Sequence, residues 1–162
     1  MAGIVLTDAS PLIGLARVDG LPWLRRLFGT VGMPPQVRDE VLSDRGFAGE
    51  RPIAEALALG WLALVEPVPD LPELPDLDEG ESACIRLALA QREPALLLMD
   101  ERAGRAVAAE FGIRVVGTAA VIGMARTRGL IPSAREVFAR LHGSDFRISA
   151  EVIRAVLHRV GE

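Results

Sequence analysis

ALLLMD, residues 95–100, and IVLTD, residues 4–8, are short apolar runs that each end in an aspartate. Short apolar runs predict buried strands, and such strands alternating with helices are typical of a parallel sheet covered on both faces. Parallel strands bring their carboxyl ends to the same edge of the sheet, where open α/β sheets bind ligands. We therefore expect Asp8 and Asp100 to lie near each other at that edge.

The rest of the chain continues this alternation. Further strands are predicted over residues 30–33, 61–65 and 114–116. Helices are predicted over residues 10–17, 21–27, 34–42, 50–59, 79–91, 102–111, 118–128, 133–141 and 149–160, the fourth ending at Gly60. Residues 66–78 carry four prolines and are predicted to form an extended acidic connection. The sequence thus predicts an α/β fold of three layers, α/β/α, as a single domain over residues 1–162.

The composition narrows the class of protein. Half of the 162 residues are hydrophobic and the mean hydropathy is +0.30, which argues against disorder. No apolar run reaches the roughly 18 residues of a membrane span, and no signal peptide is recognisable. The single Cys84 fits a reducing cytoplasm, and the two histidines, His142 and His158, are too isolated for a zinc site. We expect a cytoplasmic protein.

The charged residues exclude several α/β classes. A net charge of −4 argues against a protein that simply coats nucleic acid, but it is compatible with a nuclease whose carboxylates bind metal. All 18 basic residues are arginine, which excludes receiver domains, haloacid-dehalogenase-type phosphatases and P-loop proteins, since each needs a lysine. No G-x-G-x-x-G follows the first strand, which disfavours a dinucleotide fold. Metal-dependent phosphodiester hydrolysis is the chemistry that remains.

Two glutamates lie on otherwise apolar helix faces. Helical spacing places Glu81 with Cys84, and Glu40 with Val37 and Val41, so both glutamates are predicted to point inward. A carboxylate on an apolar face is costly unless a cation or a donor neutralises it. Together with the two aspartates that end strands, they predict a site for a hard divalent cation.

The carboxylates also have structural interpretations. Asp8 could simply end a strand, and Asp100 could cap the helix that starts near residue 102. Glu81 could stabilise a first helical turn through the helix dipole. Arg102 and Arg105 beside Asp100 form either a solvated face or, near a metal site, a phosphate contact. Four carboxylates at one edge of the sheet would be an unusual coincidence of separate structural roles.

Other polar residues near these carboxylates are open to the same two interpretations. Glu40 could pair with an arginine such as Arg38 or Arg45. Ser10 is predicted to be the N-cap of the first helix, with a proline at the first helical position. Thr118 is predicted to be an N-cap as well, and a contact to a metal-bound water is the alternative.

The motifs that carry these residues resemble the PIN-domain superfamily. They are T-D-A-S-P-L-I at residues 7–13, V-x-x-E-V-L at 37–42, D-E-G-E-S-A at 78–83 and L-L-L-M-D-E-R-A-G-R at 96–105, followed by G-T at 117–118 and G-L-I at 129–131. The similarity covers essentially the whole chain, including G-S-D-F-R-I-S-A at 143–150. Within the superfamily, the chain is similar to bacterial and archaeal PIN-like proteins of unknown function that are often encoded beside a small antitoxin-like protein.

The resemblance implies a parallel sheet of four to five strands and a Mg²⁺- or Mn²⁺-dependent endoribonuclease acting on single-stranded RNA. Such a protein would be the toxin of a type II toxin–antitoxin pair. Carried over to this sequence, the catalytic set is Asp8, Glu40, Glu81 and Asp100. Asp8, Glu81 and Asp100 would bind the metal, and Glu40 would orient or deprotonate the attacking water.

The expected partners follow from the same resemblance. They are a small cognate antitoxin and a second copy of the chain, as a homodimer. Exposed apolar surface on the helices over residues 21–27 and 53–59 is the predicted docking site for an amphipathic antitoxin helix. A metal-binding or catalytically silent PIN-like interaction module is the alternative function.

Overall fold

The computed structural model describes residues 3–43, 46 and 49–162, and five short strands in these residues form one parallel sheet. The strands are β1 (Val5–Thr7), β2 (Val31–Met33), β3 (Leu62–Leu64), β4 (Leu96–Leu98) and β5 (Arg114–Val116). Their spatial order is β3-β2-β1-β4-β5, so β1 and β4 lie side by side in the centre. In this pair Thr7 is opposite Leu98, so both strands end at the same level.

Nine helices in the described residues connect and cover these strands. They are α1 (Ala9–Arg17), α2 (Leu21–Phe28), α3 (Pro35–Val41), α4 (Glu50–Leu59), α5 (Glu79–Leu89), α6 (Arg102–Glu110), α7 (Thr118–Thr127), α8 (Ala134–His142) and α9 (Ala150–Val160). α1, α2 and α7 contact one another, α8 and α9 pack on α7, and α5 contacts α3 and α6. The predicted three-layer α/β/α fold is confirmed.

The core lies between the central strands and the helices. β1 and β2 are buried at every residue, whereas the outer strands β3 and β5 are partly exposed because each has only one neighbour. Leu6 and Leu97, opposite each other in the central pair, have no exposed surface. The fully apolar strands therefore have the double-sided burial that a parallel sheet requires.

The N-caps predicted for two helices were wrong. α1 begins at Ala9 with Asp8 in the N-cap position, so Ser10 is its second residue and not its cap. α7 begins at Thr118 itself, with Gly117 in the N-cap position. In both cases the strand leads almost directly into the helix, and the side chain predicted to cap the helix bonds elsewhere.

The remaining boundaries agree with the prediction to within two residues. Gly60 ends α4 in a left-handed conformation with φ of 85°, as expected for a glycine after a helix. Residues 66–78 contain neither helix nor strand, in agreement with the predicted connection. None of the helices formed by the described residues has the length and apolar character needed to cross a membrane.

The apolar surface predicted for antitoxin docking is mostly buried. Leu24 of α2 and Ile53 of α4 have no exposed surface, because both helices use their apolar faces to pack on the core. Leu59, at the end of α4, is 69% exposed. The prediction of exposed apolar surface on these two helices was therefore wrong apart from Leu59, the large hydrophobic side chain that is exposed there.

Leu97→Ala should destabilise the protein strongly. Removing a fully buried side chain from β4 leaves a cavity, and such substitutions cost about 2–5 kcal/mol of unfolding free energy. Leu71→Ala is the matched control, because Leu71 is 69% exposed and its truncation should change the free energy by less than about 0.5 kcal/mol. Urea denaturation followed by circular dichroism measures both. Equal effects would contradict the central position of β4.

Candidate metal centre

Asp8 sits at the carboxyl edge of the sheet, in the first position after β1. Its N–H donates to the Leu98 carbonyl at 2.9 Å, which continues the pairing of the two central strands by one residue. The side chain is only 4% exposed and makes no capping hydrogen bond to α1. Asp8 is therefore a buried carboxylate whose position is set by the backbone of the sheet.

Glu81 is held at the same edge by the first turn of α5. The Glu81 N–H donates to Asp78 Oδ1 at 2.8 Å, and Glu81 Oε2 accepts from the Asp78 N–H at 3.1 Å. This reciprocal pair is a capping box. The glutamate is 4% exposed, as its inward-facing prediction requires. One carboxylate oxygen thus serves the helix, and the other remains available.

Asp8, Asp78 and Glu81 form one acidic cluster. Each offers a carboxylate oxygen, and these three oxygens lie within 4.8 Å of one another. In the described part of the chain, Asp8 Oδ1 and Glu81 Oε1 are buried without any hydrogen-bond partner. Leaving a buried acceptor unpaired is costly. A hard divalent cation would satisfy both oxygens, and carboxylate oxygen is the ligand that Mg²⁺ and Mn²⁺ prefer.

Burial and mutual repulsion govern the protonation of the acidic cluster. The pKa of Asp8 is raised from 3.8 to about 7, chiefly by burial; the Ala9 N–H opposes this shift, and the charges of Asp78, Glu81 and Glu40 contribute to it. The pKa of Glu81 is raised first by burial and then by neighbouring carboxylates. A cation would oppose both effects, because it favours the ionised carboxylates that bind it.

Two glycines leave room for these carboxylates. A Cβ on Gly80 would lie 2.9 Å from Asp8 Oδ1, and a Cβ on Gly104 would lie 2.9 Å from Glu81 Oε1 and 2.7 Å from the sulfur of Met99. Distances this short force a neighbour to move. Glycine at these two positions therefore preserves the space around the unpaired oxygens.

Asp100 lies at the same edge, after β4, but outside the acidic cluster. Its Oδ1 accepts from the Thr118 N–H at 2.7 Å. Its Oδ2 accepts from the hydroxyls of Thr118 and Ser10, each at 2.8 Å. Asp100 thus caps α7, and the interpretation that it caps α6 was wrong because Glu101 occupies that N-cap position. Thr118 and Ser10 bind this carboxylate, which explains why neither caps its own helix.

Glu40 differs from its prediction. It is exposed, as is Asp39, because α3 is short and turns only Val37 and Val41 fully into the core. Partial burial of its carboxylate and the charge of Asp78 nevertheless raise its pKa. Its charge in turn raises the pKa values of Asp8 and Glu81. Glu40 is therefore an exposed carboxylate whose charge acts on the acidic cluster.

The alternative partners of Glu40 can be followed in part. The Arg38 guanidinium pairs with Asp39 at 3.0 Å. Arg45, the other predicted partner, lies outside the described residues. Cys84 is a buried core residue, as predicted: its thiol donates to the Thr7 carbonyl at 3.4 Å, and burial raises its pKa well above the usual value.

Asp78 is the member of the acidic cluster that the sequence analysis missed. The spacing Asp78-x-x-Glu81 is itself a capping-box signature, with an N-cap aspartate three residues before a glutamate. That signal would have placed both side chains at the start of α5. The acidic connection hid it, because several other acids precede Asp78.

Comparison with protein families agrees with this geometry. The model of a family described as a PIN domain matches residues 4–162, and the chain belongs to that family. No curated protein and no solved structure is significantly similar to the chain. PIN domains are generally nucleases that act on RNA and typically use divalent metal ions, and the acidic cluster could bind one such ion.

Asp8→Asn should make the metal-free protein more stable at neutral and alkaline pH. Between the ordinary pKa of 3.8 and the folded value of about 7, the folded protein binds more protons at Asp8 than the unfolded chain. Its contribution to stability therefore falls as pH rises through this window, because the ionised form is disfavoured in the fold. Asparagine removes that loss.

Urea denaturation in EDTA at about pH 5 and about pH 8 measures this effect. The variant should match the parent protein more closely at the lower pH and exceed its stability at the higher pH. Asp39→Asn, at an exposed position, serves as the control. Lower stability of Asp8→Asn at both pH values would mean that Asp8 has a structural role.

Proposed function

We propose that the protein is a Mg²⁺- or Mn²⁺-dependent endoribonuclease that cuts single-stranded RNA. The observation that carries this proposal is the pair of buried, unpaired oxygens, Asp8 Oδ1 and Glu81 Oε1, within an acidic cluster of a PIN-domain chain. Helix capping alone would not require these two oxygens to be buried without a hydrogen-bond partner. They fit the donor set of a hard cation.

The metal would be held by Asp8 and Glu81, with Asp78 beside them. Asp100, the third ligand expected from the family resemblance, keeps one lone pair on Oδ1 in addition to the three hydrogen bonds that hold it. When bound, a divalent cation polarises a phosphate oxygen and lowers the pKa of a coordinated water. Thr118 and Ser10 keep the Asp100 carboxylate oriented at this edge of the sheet.

Glu40 is assigned to the proton transfer. It is exposed and its charge acts on the acidic cluster, so it can exchange protons with solvent and with water beside that cluster. Its raised pKa makes it a stronger base than an ordinary glutamate, which suits a group that orients or deprotonates the attacking water.

A second candidate is a metal-binding module without catalytic activity. The observation that favours it is that both oxygens of Asp100 already accept hydrogen bonds, from the Thr118 N–H and from the hydroxyls of Thr118 and Ser10. In that case, Asp100 has a purely structural role. Metal binding without cleavage of RNA would identify this function.

In the cell, we assign the protein to the cytoplasm as the toxin of a toxin–antitoxin pair, with a homodimer as its resting form. The support is the family membership together with the single buried cysteine. An antitoxin segment bearing arginine or lysine would inhibit the enzyme, because a guanidinium can pair with two carboxylates in the place of a cation.

Asp8→Asn and Glu81→Gln should each lower cleavage of single-stranded RNA by roughly 100-fold or more, because even outer partners of metal sites are worth about 10- to 100-fold. Glutamine can still accept the Asp78 N–H, so Glu81→Gln keeps the capping box. Glu79→Gln is the matched control in the same helix, since Glu79 is exposed. A fluorescent unstructured RNA with Mg²⁺, Mn²⁺ or EDTA reports the rate.

Cleavage that persists in EDTA, or in both variants, would contradict this assignment. Mn²⁺ titration by calorimetry, combined with the cleavage assay, distinguishes the two candidates. The silent module would bind Mn²⁺ through Asp8 and Glu81 without any cleavage by the parent protein.

Co-expression with the adjacent gene tests the toxin assignment. We expect a stable complex whose ribonuclease activity is lower than that of the free protein, because a cationic segment would pair with the carboxylates of the acidic cluster. Size-exclusion chromatography and the same RNA assay measure both properties. If the two proteins separate and activity is unchanged, a stand-alone nuclease becomes the better description.

A further inference from the structure

A groove beside Asp100 combines an apolar floor with arginine walls. It has a volume of about 510 Å³ and lies along β5, α7 and the segment that leads into α9. We call it the arginine groove, defined by Arg105, Arg147 and Arg159 on its walls and by Val116, Ile148 and Val156 in its floor.

The face of α9 that lines the arginine groove is only partly covered, since Val156 packs beside Gly123 of α7 while Val152 remains exposed. Val152, Ala155, Val156 and Arg159 recur at i, i+3, i+4 and i+7, the spacing of one helical stripe. A helix normally buries such a stripe, yet Val152 is 44% exposed here. The floor is therefore apolar surface that remains accessible beside the candidate metal centre.

The groove continues away from Asp100. A neighbouring cavity of about 320 Å³ shares Val116, Val156 and Arg159 with it and is also lined by Arg114 and Arg128. Arginines thus accompany the apolar floor over the length of α9. Such an arrangement suits a linear ligand rather than a compact one.

The charged side chains that line the groove are mostly positive. Asp100 is the only acidic residue among the described residues that line either cavity, and its carboxylate is engaged by Thr118 and Ser10. Arg105, Arg147 and Arg159 are exposed and pair with no carboxylate in the described ranges. In a chain of net charge −4, this is a local positive potential that attracts an anion.

Gly117 connects the arginine groove to the sheet edge. A Cβ at this position would lie 2.8 Å from Arg105 Nη1 and 2.9 Å from Asp100 Oδ1. The guanidinium and the carboxylate therefore both lie close to this glycine. A chain lying in the groove would have one end at the edge where Asp8 and Asp100 follow their strands.

We propose that the arginine groove binds a stretch of single-stranded RNA on one side of the phosphate that is cut, which rests on the proposed ribonuclease function. Guanidinium groups pair with phosphates, and unpaired bases can cover an apolar floor. In a duplex the base faces are stacked internally and cannot reach such a floor. A second copy of the chain is a poorer occupant, since a symmetric contact would place like charges opposite each other.

The test uses Arg147→Gln and Arg159→Gln, which lie on the walls of the groove and outside the acidic cluster. Arg92→Gln is the matched control, because Arg92 is exposed and precedes β4 at the opposite edge of the sheet. Fluorescence anisotropy of an unstructured RNA oligonucleotide is measured in EDTA, so that binding is observed without cleavage. The same oligonucleotide annealed to its complement tests the preference for single strands.

Each groove variant should weaken binding about three- to tenfold, and the slope of log affinity against log salt should become shallower by about 0.7 for each lost phosphate contact. The control should bind as the parent protein does. In the cleavage assay, the groove variants should raise KM and leave kcat and Mn²⁺ affinity unchanged, because they act on the substrate strand and not on the carboxylates.

Unchanged RNA affinity in both groove variants, or equal affinity for duplex, would overturn the proposal, and an acidic protein segment would then be the better occupant. This outcome is separate from failure of the proposed function. If the protein binds RNA through the groove but never cleaves it, the groove assignment stands and the nuclease assignment fails. If it cleaves RNA with normal KM in both variants, the reverse holds.

Discussion

The hydrogen bond from the Asp8 N–H to the Leu98 carbonyl is the contact on which the rest of the structure depends. It joins the two central strands at the residue where β1 ends, and so it keeps the Asp8 side chain against the buried edge of the sheet. The same register carries Asp100, two residues beyond Leu98, to the first turn of α7, where Thr118 holds it. Both strand-end carboxylates owe their positions to this pairing, as the rule for parallel sheets predicts.

The acidic cluster opposes folding when no cation is bound. Burial and repulsion raise the pKa of Asp8 to about 7, so at neutral pH the ionisation of Asp8 destabilises the folded protein. The fold still holds the cluster together because the capping box fixes Glu81, while Gly80 and Gly104 preserve the space around the unpaired oxygens. Features that destabilise a fold locally, but that several surrounding contacts hold in place, are typical of functional sites.

The fold was largely predictable because its strands are fully apolar and its helices have clear ends, such as Gly60. The errors lie where tertiary contacts compete with local rules. Ser10 and Thr118 have the chemistry of helix caps, but the carboxylate of Asp100, distant in sequence, binds both hydroxyls. Helical spacing correctly identified Glu81 as buried. It also predicted that Glu40 is buried, because its neighbours are equally apolar, but Glu40 lies on a short helix and is exposed.

The surface separates its charges, which explains how a chain of net charge −4 can attract an anion. Residues 66–78 carry five carboxylates, a local negative charge larger in magnitude than the net charge of the whole chain. Part of this connection lies beside α3, which follows β2. The arginine groove lies along β5, on the opposite side of the two central strands. Repulsion from the connection disfavours approach of a polyanion from that side, whereas the groove attracts it from the other. Because the two regions are apart, their arrangement, rather than the total charge, determines which ligand reaches the buried carboxylates and from which direction.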